Sequence, residues 1–371
     1  MHKSRPFTQS GKSFIWIWAA LAILLVSGCV TMEVEEKPFE PPVFPPPPDP
    51  PRFVWDRTIQ SSVDVVEEDT TESFRRMVTG ENRSGEGFRK PYGIAVHKGR
   101  IFVGDSVNRT IFAFDFPERR FFKVGDDDGP GMLLKPLGLA TDGSGNLYIV
   151  DASARNLKVY SRDGEYITTV AKKGDLDRPT GVAVSKDGSK VYIVDTGGVR
   201  SPNHRVRVYE VATGEHLFDI GKRGTGDGEF NLPNNATRGP TGNILVVDGG
   251  NFRIQEFTPN GVFVKSIGGI GRQFGQFSRP KGIGVDSEGN IYVADAAFGN
   301  FQIFDPQGRL LLFVGARGDG GPAKYFLPAG LAVDDDGRVY IVDQFYRKVG
   351  VFRPANVDPG TGYFAPIIKK K

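Results

Sequence analysis

A unit of about 47 residues recurs six times along the chain, and this period constrains the fold more than any other feature. Two markers define the unit. The first is a Pro-x-Gly step ahead of a short apolar run, at Pro91-Tyr92-Gly93, Pro136-Leu137-Gly138, Pro179-Thr180-Gly181, Pro280-Lys281-Gly282 and Pro328-Ala329-Gly330. Pro233-Asn234-Asn235 is a degenerate sixth copy. The second marker is an apolar run ending in aspartate, at Asp105, Asp151, Asp195, Asp248, Asp295 and Asp343, spaced 46, 44, 53, 47 and 48 residues apart. Of the 48 glycines, 46 lie at or beyond Gly80, so turns are frequent where the repeats are.

Each unit reads as four short strands. In the second copy these are Leu139-Ala140, Leu147 to Val150, Leu157 to Tyr160 and Tyr166 to Val170. Asp142-Gly143 and Asp163-Gly164 between them suit hairpin turns. Apolar and β-branched residues dominate and no helical period survives. The pattern therefore predicts an all-β, six-bladed propeller of four-stranded blades, over residues 74–353. The last unit has only three clear strands, ending at Val349 to Phe352. Phe74 to Gly80 precedes the first Pro-x-Gly by the spacing of an outer strand, so it is expected to complete that blade and tie the first repeat to the last. Tyr363 to Ile368, in the tail of residues 354–371, is the competing strand.

These residues resemble the NHL-repeat family of six-bladed propellers. The likeness rests on Pro-x-Gly followed by Ile, Leu or Val, then Asn-Ile-Tyr-Val-Ala-Asp, then an Asn or Arg before Ile-x-x-Phe; Asp286 to Phe304 carries it well. The resemblance implies a fold rather than an activity, because this fold hosts many functions. Some relatives are zinc lyases acting on C-terminal hydroxyglycine peptides, with several histidines near the central channel. Beyond residue 28 this chain has only His97, His204 and His216, at the end of an inner strand, in a loop and at the start of an outer strand. Three such positions do not converge within the roughly 2 Å of a common zinc. No cofactor and no metal site is expected on this reading.

The six aspartates stand in a ring but repeat in every blade, which favours a structural role. Each is expected to accept backbone or arginine hydrogen bonds and to fix its local loop. Arg109, Arg155, Arg205, Arg253 and Arg347 follow five of them closely and are the expected arginine partners. Asp126-Asp127-Asp128-Gly129 and Asp334-Asp335-Asp336-Gly337 lack the ligand spacing and closing Glu of a calcium hand and read as acidic turns. There is no Gly-x-Ser-x-Gly elbow.

The loop entering each inner strand and the loop between the second and third strands share one face, the default binding surface. Lys90, Lys135, Arg178 and Arg279 each stand immediately before a Pro-x-Gly, and Lys281 sits within one. Tyr92, Phe252, Phe298, Phe345 and Tyr346 bring aromatic rings to the same rim. The loop from Thr196 to Arg205, with Arg200 and His204, is about six residues longer than its counterparts, and a unique insertion in a repeat often marks function.

The chain ahead of the repeats differs in kind. Lys3, Arg5 and Lys12 precede an apolar run from Phe14 to Val26, too short to span a membrane and suited to a signal peptide over residues 1–28. Val26-Ser27-Gly28-Cys29 resembles the lipobox of bacterial lipoproteins, and Cys29 is the only cysteine in the chain. Lipidation there would anchor the protein. Val30 in place of Asp favours the outer membrane by analogy with double-membraned bacteria. A single cysteine also excludes a disulfide scaffold and Cys-rich metal centres. Residues 29–52 read as a tether, with nine prolines between Pro38 and Pro51 favouring extended polyproline II. Residues 53–73 form a lead-in without an assigned element.

Removing the three basic residues of the signal segment leaves 44 basic against 44 acidic side chains. A nucleic-acid partner therefore loses its compositional support. The expectation is a non-catalytic binding or scaffold propeller, lipid-anchored in the cell envelope, whose rim meets an envelope protein, peptide or glycan. The alternative is a metal-dependent hydrolase or lyase of the lactonase-like or amidating-lyase-like propeller type.

Overall fold

The computed structural model describes residues 39–365, so the signal segment and Cys29 lie outside the described residues. The unit from Pro41 onward holds six antiparallel blade sheets, five built from consecutive strands and the sixth joining N-terminal strands to the last repeat. Blade 1 comprises Pro91–His97, Arg100–Asp105, Thr110–Asp115 and Arg120–Val124. Blades 2 to 5 begin at inner strands Pro136–Thr141, Pro179–Val184, Pro233–Arg238 and Pro280–Val285. Blade 6 has Pro328–Val333, Val339–Asp343 and Lys348–Pro354 from the last repeat.

Continuous apolar runs in the second strands follow from the packing. Successive side chains of a strand point to opposite faces, and in a propeller both faces of a blade are covered. Leu147 and Ile149 enter the cluster shared with blade 1, while Tyr148 and Val150 enter the cluster shared with blade 3. Six apolar clusters result, one at each junction between neighbouring blades.

The inner strands close into a ring, and the Pro-x-Gly glycines show why that residue is needed. A Cβ on Gly93 would lie 1.9 Å from the Leu137 carbonyl oxygen, and one on Gly330 would lie 2.5 Å from that of Tyr92. Gly138, Gly181 and Gly282 meet the carbonyls of Thr180, Asn234 and Ala329 in the same way. Each glycine thus rests against the x residue of the next blade. Blade 4 has Asn235 at this position, and there Asn234 Nδ2 donates to the Pro280 carbonyl at 3.1 Å.

The ring is closed by an N-terminal outer strand, but not by Phe74 to Gly80. The closing strand is Phe53–Ile59, paired antiparallel with Lys348–Pro354 from Phe53↔Pro354 to Ile59↔Val349. Propeller pairing therefore begins in the segment read as a lead-in. Residues Thr70–Thr79 form a helix, α1. Asp69 caps its start by accepting from Thr71 N, and Gly80 ends it at φ +70°. Phe74, Met77 and Val78, at helical spacing, all face solvent.

The proline-rich stretch is also not wholly a free spacer. Val43–Phe44 adds a fifth strand outside Phe53–Ile59, and Phe44 packs edge-on against Phe352 with centroids 5.9 Å apart. At the seam Arg338 is fully buried, donating to Asp336 Oδ2 and to the Thr361 carbonyl, each at 2.8 Å, with Asp56 at 3.7 Å. The described part of the tail turns at Gly362–Phe364 and buries Phe364 against Phe116.

Candidate functional site

Each blade aspartate is fully buried at the end of its second strand and serves as an acceptor for its own loops. Asp105 accepts from Arg89 N and Lys90 N on one oxygen and from Val107 N and Asn108 N on the other, between 2.6 and 3.0 Å. Asp151, Asp295 and Asp343 repeat this four-donor arrangement. Asp195 holds the backbone of Asp177 and Arg178. Asp248 holds Asn231 N together with the side chains of Asn251, Arg253 and Gln255. The carboxylates thus fix the inner-strand entries in place.

Only two of the five arginines reach their aspartate: Arg253 at 2.9 Å and Arg205 at 3.5 Å. Arg109, Arg155 and Arg347 instead occupy the left-handed region, with φ of +57°, +53° and +53°. Phe252 and Gly299 take the same conformation at the equivalent places. Those arginines mark a turn, not an ion pair.

With the entries fixed, two concentric rings surround the channel mouth. The inner ring is the x residue of each step: Tyr92, Leu137, Thr180, Asn234, Lys281 and Ala329. The outer ring is the residue before each proline: Lys90, Lys135, Arg178, Leu232, Arg279 and Leu327. These twelve positions hold five cations and no acid. Lys90, Lys135, Arg178 and Arg279 are exposed, and Lys281 is half-buried. Among the described residues none of the five has an ion pair or a side-chain hydrogen bond, and the Tyr92 hydroxyl is equally without a partner. Burial pushes the Lys281 ammonium below its ordinary pKa, and the Arg279 and Arg178 guanidinium groups push it further the same way. Burial raises the Tyr92 phenol, with Arg178 opposing. Arg178 therefore acts on both groups from blade 3, across the mouth. Below lies a channel cavity of about 140 Å³, lined by the six inner strands from Tyr92 down to Val333.

The other rim residues divide. Phe345 is exposed and packs on Phe326 with centroids 4.6 Å apart, and Arg317 covers Phe326 at 4.0 Å. Arg317 and Phe326 fall in or beside a short parallel pairing, Ala316–Arg317 with Lys324–Tyr325, whose counterparts in the two preceding repeats are the single bridges Arg223↔Phe230 and Ile270↔Phe277. Tyr346 is committed to its own blade, donating to the Gly318 carbonyl at 2.6 Å. Phe252 packs into the junction of blades 4 and 5, and Phe298 is half-buried.

His204 is not part of an accessible rim. It is fully buried, bonded through Nε2 to the Gly198 carbonyl at 3.0 Å, and its Nδ1 accepts from Leu232 N at 3.3 Å. It pins the long loop to the next blade's entry, as does Thr196 Oγ1, which donates to the Pro233 carbonyl at 2.6 Å. The loop tip, Val199 and Arg200, remains exposed.

A divalent ion of the lactonase-like kind does not fit these residues. Among the described residues no three His, Cys, Asp or Glu side chains are grouped to hold a metal. The six aspartates have their oxygens engaged by hydrogen-bond donors, and the channel mouth is lined by cations.

Comparison with known proteins agrees with the repeat. The NHL repeat model matches residues 277–304. Among solved structures, one of unassigned function from Bacteroides thetaiotaomicron is 17% identical with a TM-score of 0.58, covering 81% of this chain and 76% of its own. A streptogramin B lyase is 13% identical, TM-score 0.53, with 72% and 94% covered. A gluconolactonase from Xanthomonas campestris is 18% identical, TM-score 0.53, with 72% and 86% covered. At such identities the likeness is one of fold.

Proposed function

For a six-bladed propeller that carries an NHL repeat, we propose a non-catalytic binding or scaffold role in the bacterial cell envelope. Cys29 would carry the lipid that holds it to the membrane, and the loop face would meet an acidic partner: an envelope protein, a peptide or a glycan. The observation that carries this reading is the pair of rings, with five cations and no acid at twelve positions and no internal partner for any of them. Like charges gathered on one rim repel one another, and an acidic partner relieves that repulsion. The exposed Phe345 edge, backed by Phe326 and Arg317, adds apolar contact beside the charge.

The test uses the full chain, immobilised and exposed to envelope extract, with Lys135→Glu/Arg178→Glu as the comparison. Loss of captured partners in the double variant is the expected result. Identical capture by both proteins refutes the rim. Anchoring is tested separately, since Cys29→Ser should move the protein from the membrane fraction to the soluble one.

A further inference from the structure

The inner strand of blade 4, Pro233–Arg238, departs from the other five at three places, each time towards a polar side chain. Counted from the proline, the second residue is glycine in five blades and Asn235 here. The fourth is alanine or glycine in five blades and Thr237 here. The fifth is Val96, Val184, Val285 or Val333 in four blades and Thr141 in another, but Arg238 in blade 4. Asn235, Thr237 and Arg238 all line the channel cavity. Their spacing is that of one extended strand, about 10 Å from first to last at about 3.3 Å per residue. A local rule broken in a single repeat is where a functional site is expected.

Among the described residues Arg238 is the one charged side chain lining this cavity, and no Asp, Glu or His lines it. Arg238 is half-buried. Its guanidinium makes a single hydrogen bond, Nη1 donating to the Gly239 carbonyl at 3.3 Å, and no ion pair. Thr141 Oγ1, by contrast, is committed to the Val96 carbonyl at 3.1 Å. The Thr237 hydroxyl has no partner among the described residues. Ile94, Leu139, Val182, Ile283 and Leu331 make much of the remaining wall apolar.

A guanidinium withdrawn from water without a counter-ion costs free energy that a bound anion recovers. One arginine balances one negative charge, and its planar pair of donors matches a carboxylate. A cavity of about 140 Å³ is close in size to one that takes up benzene, so it admits about six non-hydrogen atoms. Apolar walls give water few partners, and poorly held water is displaced with gain by an apolar group. A phosphate would turn its remaining oxygens against those walls.

We propose that the channel is a binding site for a short-chain aliphatic carboxylate, its carboxylate on Arg238 and its hydrocarbon chain against the apolar wall. Thr237, next to Arg238 on the strand, serves a hydroxyl group carried by that chain. The site is separate from the cationic rim and does not depend on it.

The test is calorimetric titration of the full chain with butyrate at constant ionic strength, with 1-butanol and inorganic phosphate as comparisons. Saturable binding of butyrate is expected, with 1-butanol and phosphate each at least tenfold weaker. Arg238→Val should weaken butyrate tenfold or more, and it should keep the fold, since valine holds that place in four other blades. Arg238→Lys, which keeps the charge without the paired donors, should fall between the two. Lactate, of the same size with a hydroxyl beside the carboxylate, should bind at least as tightly as butyrate and lose that advantage in Thr237→Ala. An unchanged lactate preference in that variant removes Thr237 from the site. Lys135→Glu/Arg178→Glu should bind butyrate as wild type does; loss of butyrate there assigns the anion to the rim and overturns the proposal. So does any of three further results: no saturable butyrate binding, equal binding by wild type and Arg238→Val, or binding of 1-butanol or phosphate as tight as that of butyrate.

Discussion

Ring closure by Phe53–Ile59 makes a sharp prediction about where a small cut in the chain's apolar surface is felt. Ile59 has no exposed surface and lies in the cluster joining blades 6 and 1, with Val65, Phe88, Ile101, Tyr340 and Val349. Ile59→Ala removes three carbons, about 2.4 kcal/mol of transfer free energy at about 0.8 kcal/mol per methylene. The cavity left in a closely packed seam adds to this, so the expected loss is about 3 to 4 kcal/mol, within the range of such substitutions. Phe74 lies in the segment whose spacing imitates an outer strand, but it is 64% exposed on α1. Phe74→Ala should therefore change stability by no more than about 0.5 kcal/mol. Urea unfolding followed by far- and near-ultraviolet circular dichroism measures both, with coincident curves licensing the two-state treatment. A cost for Phe74→Ala equal to that for Ile59→Ala, or a cost for Ile59→Ala below about 1 kcal/mol, would refute closure by the earlier strand.

Two further outcomes are expected. Gly93→Ala drives a methyl group into the Leu137 carbonyl, a backbone atom that cannot swing aside. It should cost at least the about 1 to 3 kcal/mol typical of overpacking, read as a lower urea midpoint; Gly198→Ala, in open space, should be silent in the same assay. Asp334 accepts from Tyr340 Oη at 2.6 Å, and burial pushes its carboxyl up to about 6 from 3.8. A carboxyl raised in the folded state favours folding when protonated, so its contribution is complete below about pH 4 and is lost as pH rises through about 6, a change of about 3 kcal/mol at about 1.4 kcal/mol per unit. Urea midpoints from pH 4 to 7 should show that fall in wild type and a flatter profile in Asp334→Asn.

The repeat was legible because its markers are backbone necessities. Gly93 and Gly330 answer a steric demand, and Asp105 or Asp295 answers a demand for acceptors, and neither demand changes from blade to blade. What could not be read lies where the periodic logic stops. Residues 74–80 match the spacing of an outer strand, but Asp69 and Gly80 are helix caps, and Phe74, Met77 and Val78 recur at helical intervals. Arg109, Arg155 and Arg347 resemble partners of aspartate because they follow it closely, whereas the turn they occupy sends them into left-handed backbone. His204 stands in an inserted loop, and nothing in its neighbours' identities tells that Gly198 and Leu232 enclose it. Arg317 and Phe326 stand at a pairing that recurs as Arg223↔Phe230 and Ile270↔Phe277, but the residues around it differ from blade to blade.

The same division explains where specificity can reside in this molecule. In each Pro-x-Gly step the proline pairs opposite the blade aspartate and the glycine is pressed against the next blade, so neither is free to vary. The x residue contributes its carbonyl to that contact, and the contact does not depend on its side chain. Six such positions have diverged to Tyr, Leu, Thr, Asn, Lys and Ala in one chain, though their backbones are held alike. Thr180 and Asn234 are drawn into bonds with the neighbouring blade, to the Asn234 and Pro280 carbonyls. Tyr92 and Lys281 are not drawn in, and their side chains have no hydrogen-bond or ion-pair partner among the described residues. A ring whose architecture is set by backbone contacts can hold an unfavourable charge at its centre, because the aspartates and glycines that fix the entries do not depend on it.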